Sequence, residues 1–266
     1  MSNTASERAT MPKGTSSVLD SRSLQNSYAT LIPLLREGMR VLDVGCGTGA
    51  ISAGIAEMVG PTGAVVGIDS SPHLIAKGKD DHAHIPQLTL LEADLFTYTP
   101  AQQFDLVVSA RVLQWLSNPK AALAKFASLL NPGGWISILD YNHTLLEWTP
   151  QPPASMQRFY KAFLDWRSDA GMDNEIADHL PALFEQLGCH NITTLNADEV
   201  YEKGRADFAD KAGIWSKVAE LRGPQVVASG FITDAERLQA LSEYNDWLRS
   251  SGERMIMKLK EVRATV

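Results

Sequence analysis

The chain has 266 residues, and its 24 basic and 31 acidic side chains give a net charge of −7. A hydrophobic fraction of 44% and a charged fraction of 21% are typical of a globular protein and exclude a chain that is disordered throughout. The two cysteines, Cys46 and Cys189, exclude a disulfide framework and a four-cysteine zinc site, and the acidic charge disfavours nucleic acid as a partner.

The first twenty residues predict a disordered leader. Their start is small and polar and lacks the apolar stretch of a secretory signal. No apolar run approaches the roughly 20 residues that a helix needs to cross a bilayer. We therefore expect a cytoplasmic protein without a membrane span.

Strands and helices alternate through residues 21–142. Apolar residues at helical spacing predict a helix from Ser23 to Arg36, and further helices are predicted at 51–59, from 74 to 79 and at 121–130. Short apolar runs predict five strands, at 41–44, 64–68, 88–91, 104–109 and 135–139. This alternation predicts an α/β fold whose parallel sheet is covered on both faces. Ligands bind beyond the carboxyl ends of such strands, where the sequence places Asp69, Asp94, Ser109 and Asp140.

The pattern changes at residue 143. Residues 143–180 combine a proline-rich stretch with many aromatic side chains, which predicts a helical cap over the carboxyl edge of the sheet. Residues 181–266 are expected to complete the core, with a helix at 181–187 and a helical insertion at about 206–250. Two late strands, at 191–195 and 255–259, would bring the sheet to seven strands.

Three glycines, Gly45, Gly47 and Gly49, lie between the first strand and the next helix. Glycine allows backbone angles closed to other residues and lets a ligand touch the main chain beside the positive end of a helix. The same residues fit a dinucleotide fingerprint, with Asp69 placed to bind a ribose. However, Asp43 precedes the glycines, and its carboxylate would suit a nucleoside with a cationic amino-acid tail better than a pyrophosphate.

The segment Val41–Gly49 resembles the first motif of the class I S-adenosylmethionine-dependent methyltransferases. The resemblance continues, in the order of the family, through 67–71, 92–95, 104–110 and 129–134, and it covers about residues 20–140. The pattern is most similar to the small-molecule branch that includes quinone-biosynthesis enzymes. The resemblance implies a Rossmann-like, doubly wound, mostly parallel sheet and S-adenosyl-L-methionine as the cofactor.

The resemblance also implies the cofactor contacts. The glycines would approach the methionine part and the ribose, Asp43 would organise the loop, and Asp69 would accept both ribose hydroxyls. The adenine would lie against Ser70 and donate to Asp94, and Tyr28 would close over the methionine end. The complete set of expected cofactor-binding residues is Tyr28, Asp43, Gly45, Cys46, Gly47, Gly49, Asp69, Ser70, Ala93, Asp94, Leu95 and Ser109. Helix capping is the alternative role of Asp69 and Asp94.

The candidates for the acceptor side follow the fourth and fifth strands. His143 is the candidate general base, because the ordinary pKa of histidine lies near 6.5, although a loop histidine bonded to backbone is the alternative. The substrate-binding candidates are Arg111, Gln114, Trp115 and Tyr141, for which surface pairing or core packing are the alternatives. Asp173, Glu175, Asp178 and His179 lie close together in sequence, but their spacing predicts a solvated helix face rather than a metal site.

The leading hypothesis is a methyltransferase that acts on an oxygen, nitrogen or carbon atom of a small, partly apolar or aromatic molecule. The alternatives are a methyltransferase acting on RNA or protein, an NAD-dependent oxidoreductase, and a protein that binds the cofactor without turnover. A homodimer is a further expectation.

Overall fold

A computed structural model describes residues 3–10 and 20–266. Within these residues eight strands form one sheet in the order β3-β2-β1-β4-β5-β8-β6, with β7 also paired to β8. The strands are β1 (Arg40–Val44), β2 (Ala64–Asp69), β3 (Leu88–Glu92), β4 (Phe104–Ala110), β5 (Leu130–Thr149), β6 (His190–Asn196), β7 (Glu199–Glu202) and β8 (Arg254–Thr265).

Helices connect the strands and cover both faces of the sheet. They are α1 (Asn3–Ala9), α2 (Leu24–Ser27), α3 (Ala50–Val59), α4 (Pro72–Asp81), α5 (Pro119–Ser128), α6 (Ala154–Asp169), α7 (Ile176–Gln186), α8 (Phe208–Ala212), α9 (Ile214–Leu221), α10 (Gly223–Ala228) and α11 (Asp234–Arg249). Short 3-10 helices occupy Ala29–Leu34 and Leu113–Trp115. No helix in the two described ranges combines the length and the apolar character needed to span a bilayer.

The first five strands run parallel, so their carboxyl ends meet at one edge of the sheet. Strand β8 runs antiparallel to β5, β6 and β7. These pairings confirm the predicted α/β fold. The predicted count of seven strands is wrong, because the short strand β7 was not recognised: its sequence Glu-Val-Tyr-Glu is only four residues long and has a carboxylate at each end.

Strand β5 is much longer than predicted. It continues from the expected end at Leu139 as far as Thr149, and Trp148 still pairs with Met255 of β8. The predicted cap therefore does not begin at 143; the chain leaves the sheet at Pro150, and α6 starts at Ala154. As a consequence, Tyr141 lies on the paired part of β5, and His143 lies in the same strand where the pairing with β8 is interrupted before Glu147.

Three further predictions need correction. The expected helix over Ser23–Arg36 is only one α-helical turn followed by a 3-10 helix, which contains Pro33, a residue that cannot donate a helical hydrogen bond. The helix expected at 181–187 begins earlier, at Ile176. Residues 1–2 and 11–19 of the expected leader lie outside the described residues, whereas Asn3–Ala9 form α1.

The cap is a layer of helices with an aromatic interior. Helices α6, α9 and α11 supply Phe159, Phe163, Trp166, Trp215 and Tyr244, all of them buried. The rings of Tyr160 and Trp215 meet edge to face with centroids 4.6 Å apart, a favoured geometry for aromatic pairs. This layer contacts the sheet through Trp148 of β5, whose indole N–H donates to the hydroxyl of Tyr244.

Candidate functional site

The turn between β1 and α3 has a backbone that requires glycine. Gly45, Gly47 and Gly49 have φ angles of 74°, 58° and 77°, in the left-handed region that other residues rarely adopt. The N–H groups of Gly45 and Cys46 both donate to the carbonyl oxygen of Ile68, the penultimate residue of β2. The turn is thereby fixed to the end of the neighbouring strand.

Asp69, the last residue of β2, joins this turn to the following helix. Its Oδ2 accepts the N–H of Gly47 at 2.9 Å, and its Oδ1 accepts the N–H of Ser71 at 2.9 Å. Burial raises the pKa of Asp69, and the two N–H groups oppose this shift by stabilising the carboxylate. Both oxygens are therefore held in fixed positions, and each has a lone pair left for a ligand.

Asp43 lies deeper, beneath the turn. Its side chain is buried and accepts the Ser52 hydroxyl at 2.6 Å, and burial raises the pKa of this carboxyl to about 6. Together with Cys46, Gly47 and Arg22, Asp43 lines a small cavity of about 30 Å³.

A larger cavity of about 730 Å³ opens at the carboxyl ends of the parallel strands. We call one part the glycine-turn half, lined by Gly45, Gly47, Asp69, Ser70, Ala93, Asp94 and Leu95. We call the other part the aromatic half, lined by Arg111, Gln114, Trp115, Tyr141, His143, Phe163 and Trp215. The structure thus brings most of the predicted site residues to one continuous cavity, with Asp43 and Cys46 at the small cavity beside it.

Tyr28, Gly49 and Ser109 line neither cavity. Tyr28 is buried in the sheet packing, where its hydroxyl lies 2.8 Å from Ser137 Oγ, and its contact with the methionine end stays a prediction. Gly49 caps α3, and a Cβ added there would lie 2.8 Å from Leu90 Cδ1. Ser109 Oγ donates to the Val44 carbonyl at 2.9 Å, which ties β4 to β1.

Asp94 has the capping contacts that the sequence offered as the alternative to its cofactor role. Its Oδ1 accepts the N–H groups of Phe96 and Thr97, at 2.8 and 3.3 Å, as a capping carboxylate does. Asp94 also lines the glycine-turn half.

Arg22 is a site residue that sequence reasoning missed. It precedes α2 and lines both cavities, which places a cation beside the glycine turn and Asp43. Burial and the nearby Arg111 lower its pKa. Its segment, Ser21-Arg-Ser23, carries no motif that could have identified it.

His143 is held by Gln114 in one orientation. Its Nε2 lies 2.6 Å from Gln114 Oε1, while Gln114 Nε2 donates to the Arg111 carbonyl at 3.1 Å. Since the amide oxygen can only accept, we assign the proton to His143 Nε2, which leaves the Nδ1 lone pair free to accept. Burial and the nearby Arg167 hold the pKa of His143 well below 6.5, so the ring is neutral at pH 7.

The wall behind Gln114 is also fixed by buried charges. Arg167 donates to the Gln114 side-chain and backbone oxygens, at 3.2 and 2.8 Å, and Asp140 Oδ2 accepts the Gln114 N–H at 3.1 Å. Burial raises the pKa of Asp140 to about 6. Trp115 lies between two guanidinium groups, with the Cζ of Arg222 at 4.2 Å and the Cζ of Arg167 at 4.6 Å from its ring centroid.

The acidic segment beside α7 forms local ion pairs. His179 Nδ1 lies 2.6 Å from Asp173 Oδ2, and the His179 side chain is about half exposed. Over residues 3–10 and 20–266, no three His, Cys, Asp or Glu side chains come together in a metal-binding arrangement.

Comparisons with known proteins identify relatives of this chain. A family model described as a methyltransferase domain matches residues 35–205. The chain is 30% identical over 159 residues to trans-aconitate 2-methyltransferase of Methylobacterium radiotolerans, an alignment that covers 60% of this chain and 57% of that protein. It is 38% identical over 103 residues to aklanonic acid methyltransferase of a Streptomyces species, which covers 38% of this chain and 47% of that protein. The chain thus spans about half the length of these curated relatives.

A solved structure shows the same fold. It is phosphoethanolamine N-methyltransferase 2 of Haemonchus contortus in complex with S-adenosylhomocysteine, with a TM-score of 0.56 and 16% identity. The alignment covers 91% of this chain and 52% of that one.

Proposed function

We propose that this chain, which belongs to the class I S-adenosylmethionine-dependent methyltransferases, transfers a methyl group to a small, partly apolar or aromatic molecule. The single observation that carries the proposal is the continuity of the cavity: the glycine-turn half opens directly into the aromatic half. A cofactor held in one half and an acceptor in the other would meet without crossing solvent. The family match replaces the alternative of an NAD-dependent oxidoreductase.

The residues of the glycine-turn half fit S-adenosylmethionine. The fixed carboxylate of Asp69 would accept from the ribose hydroxyls, and Asp94 and Leu95 would lie at the adenine end. At the other end, Asp43 would face the ammonium group, and Arg22 would face the carboxylate of the amino-acid tail. When bound, this cofactor supplies a methyl group on a positively charged sulfur atom.

The protein must then place a nucleophile beside that methyl group and exclude water. The aromatic half supplies flat apolar walls for this purpose, from Trp115, Tyr141, Phe163 and Trp215. Tyr141, Phe163 and Trp215 are buried and Trp115 is half-buried, which favours a small molecule over a polymer as the acceptor.

His143 would hold the acceptor atom in place. Its neutral ring presents Nδ1 as a hydrogen-bond acceptor, which suits a hydroxyl or another protonated nucleophile. The methyl group would leave the sulfur of the cofactor for the acceptor atom, and the proton that this atom gives up would be taken by Nδ1. Gln114 would act as a positioning residue, because its amide oxygen fixes the tautomer of the imidazole.

Calorimetry with S-adenosylhomocysteine tests the first half of the proposal. We expect binding in the micromolar range, and the absence of heat from correctly folded protein would contradict the proposal. A methyl-transfer assay read by mass spectrometry then tests turnover. Trans-aconitate is the first acceptor to try, because relatives of this chain carry its name. The cytoplasmic location and the homodimer stay predictions from the sequence.

A further inference from the structure

Charges are sorted along the cavity. The two acidic side chains that line it, Asp69 and Asp94, both lie in the glycine-turn half. On the acceptor side the charged residues that line it are all cationic, namely Arg111, Lys217 and Arg222. A chain with a net charge of −7 therefore presents positive charge where the acceptor would bind.

Arg111 occupies a strained and buried position in this wall. Its φ angle of 64° is rare for a residue with a side chain, and the residue is 5% exposed. Strain of this kind is concentrated at functional sites, where the surrounding structure over-determines it. Here the Arg111 N–H is fixed by the Leu139 carbonyl at 2.7 Å.

The Arg111 guanidinium is only partly satisfied. Its Nε donates to the Tyr141 hydroxyl at 2.9 Å, and its Nη2 donates to Ser27 O at 3.1 Å and to Glu199 Oε1 at 2.6 Å. Its Nη1 is buried and has no hydrogen-bond partner within the described part of the chain. A buried donor left without an acceptor is unfavourable, so such groups call for an explanation such as a ligand.

Glu199 does not cancel the positive charge of this wall. Its carboxylate also accepts the Tyr201 hydroxyl at 2.8 Å, and Glu199 does not line the cavity. Burial raises the pKa of Glu199, whereas the positive charges of Arg111 and Arg22 lower it, so this one carboxylate interacts with two guanidinium groups. Besides the carboxylate of the cofactor's amino-acid tail, a second anion is therefore favoured at the Arg111 end of the aromatic half.

Trp215 supplies a second unsatisfied donor. It is 2% exposed, lines the aromatic half, and its Nε1 has no acceptor within residues 3–10 and 20–266. An acid with a flat apolar body would supply oxygen atoms for such donors and would fit the aromatic walls. Its carboxylate is planar, and the guanidinium of an arginine matches this geometry.

We infer that the methyl acceptor carries a carboxylate and that Arg111 binds it through the Nη1 side of its guanidinium. This inference rests on the proposed function and narrows its substrate class to aromatic or apolar carboxylic acids. The carboxylate anchors the molecule at Arg111, on one side of Tyr141, while the nucleophile reaches His143, whose ring centroid lies 5.0 Å from that of Tyr141.

The test compares acids with their uncharged counterparts. Protein saturated with S-adenosylhomocysteine is titrated calorimetrically with 3,4-dihydroxybenzoate, trans-cinnamate and hexanoate, and then with the methyl ester of each. We expect at least one acid to bind tenfold or more tightly than its ester. In Arg111→Gln this preference disappears, and in Arg111→Lys it is reduced. Arg36→Gln, the same change at an exposed arginine before β1, keeps the wild-type preference.

The readouts separate this inference from the proposed function. If S-adenosylhomocysteine binds but no acid is preferred over its ester, or if Arg111→Gln keeps the preference, the inference is wrong and the proposed function stands. If S-adenosylhomocysteine does not bind, the proposed function fails, and the same titrations on the free protein decide whether Arg111 binds a carboxylate. The wild-type comparison needs no variant, so it decides the matter even if Arg111→Gln does not fold.

Discussion

The two halves of the cavity are built differently. The glycine-turn half comes from the ends of three neighbouring strands, within residues 43–95, and uses backbone N–H groups and a carboxylate at each end. The aromatic half draws on residues from 111 to 215, carried by the segment that follows β4 and by β5, α6 and α9. A ligand held by the first half is recognised through local geometry, whereas recognition in the second depends on how distant segments pack. We therefore expect substitutions in the two halves to change different measurable quantities.

The largest expected effect is that of Asp69→Ala on cofactor affinity. The variant removes an acceptor for two ribose hydroxyls, and charge-assisted hydrogen bonds of about 2 kcal/mol each correspond to roughly a 10³-fold loss of affinity. Calorimetry with S-adenosylhomocysteine measures it. Asp94→Ala is the matched comparison and should lose roughly 30-fold, because this exposed carboxylate would make one such bond. Unchanged affinity in Asp69→Ala would mean that the ribose is held elsewhere.

His143→Gln should change turnover and leave cofactor affinity intact. Loss of a group that takes up a proton lowers kcat by on the order of 10²-fold, while the glycine-turn half is untouched. Single-turnover kinetics, with an acceptor identified by the methyl-transfer assay, measure the change. His179→Gln, at a half-exposed histidine of α7, is the control and should behave as wild type. Equal turnover of His143→Gln and wild type would mean that His143 only lines the pocket and takes up no proton.

The contrast between the halves also explains what the sequence could predict. Gly45, Gly47, Asp69 and Asp94 could be predicted because each lies at or just after the end of a strand, and adjacent parallel strands bring such ends together. Arg22 was missed because its contact with the glycine turn depends on where the segment before α2 packs, which no local pattern encodes.

The aromatic half was predicted only in outline. The many aromatic side chains of residues 143–180 predicted a helical cap, but composition does not tell whether a ring such as that of Phe163 faces other rings or a cavity. The end of β5 was misplaced for a related reason. Asp140 and Asn142 have the polarity of a strand end, yet both are buried inside the strand, where Asp140 accepts the N–H groups of Gln114 and Tyr141.

The pH dependence of cofactor binding tests the proposed contact between Asp43 and the ammonium group of the cofactor. Burial raises the pKa of this carboxyl to about 6, so it is ionised at pH 7 and becomes protonated as the pH falls through 6. Protonation removes the negative charge that would face the ammonium group, and affinity should fall by about tenfold per unit below that pKa. Calorimetry with S-adenosylhomocysteine between pH 5 and 8 measures the slope. Asp43→Asn should bind more weakly at pH 7 and show a flatter profile, and an unchanged slope would assign the effect to another group.

The smallest effect on binding is expected for Tyr28→Phe, which tests a residue that the family resemblance placed at the cofactor. In the structure Ser137 Oγ donates to Glu261, so the Tyr28 hydroxyl donates to Ser137 at 2.8 Å. The variant leaves a buried oxygen short of one donor but keeps the ring that fills the core, which should lower the free energy of unfolding by about 1 kcal/mol. Urea denaturation measures this loss, and the affinity for S-adenosylhomocysteine should stay within about twofold of wild type, since no cavity contact is removed. A tenfold loss of affinity with unchanged stability would instead mean that Tyr28 contacts the cofactor. The glycine-turn half would then extend to the segment that follows α2.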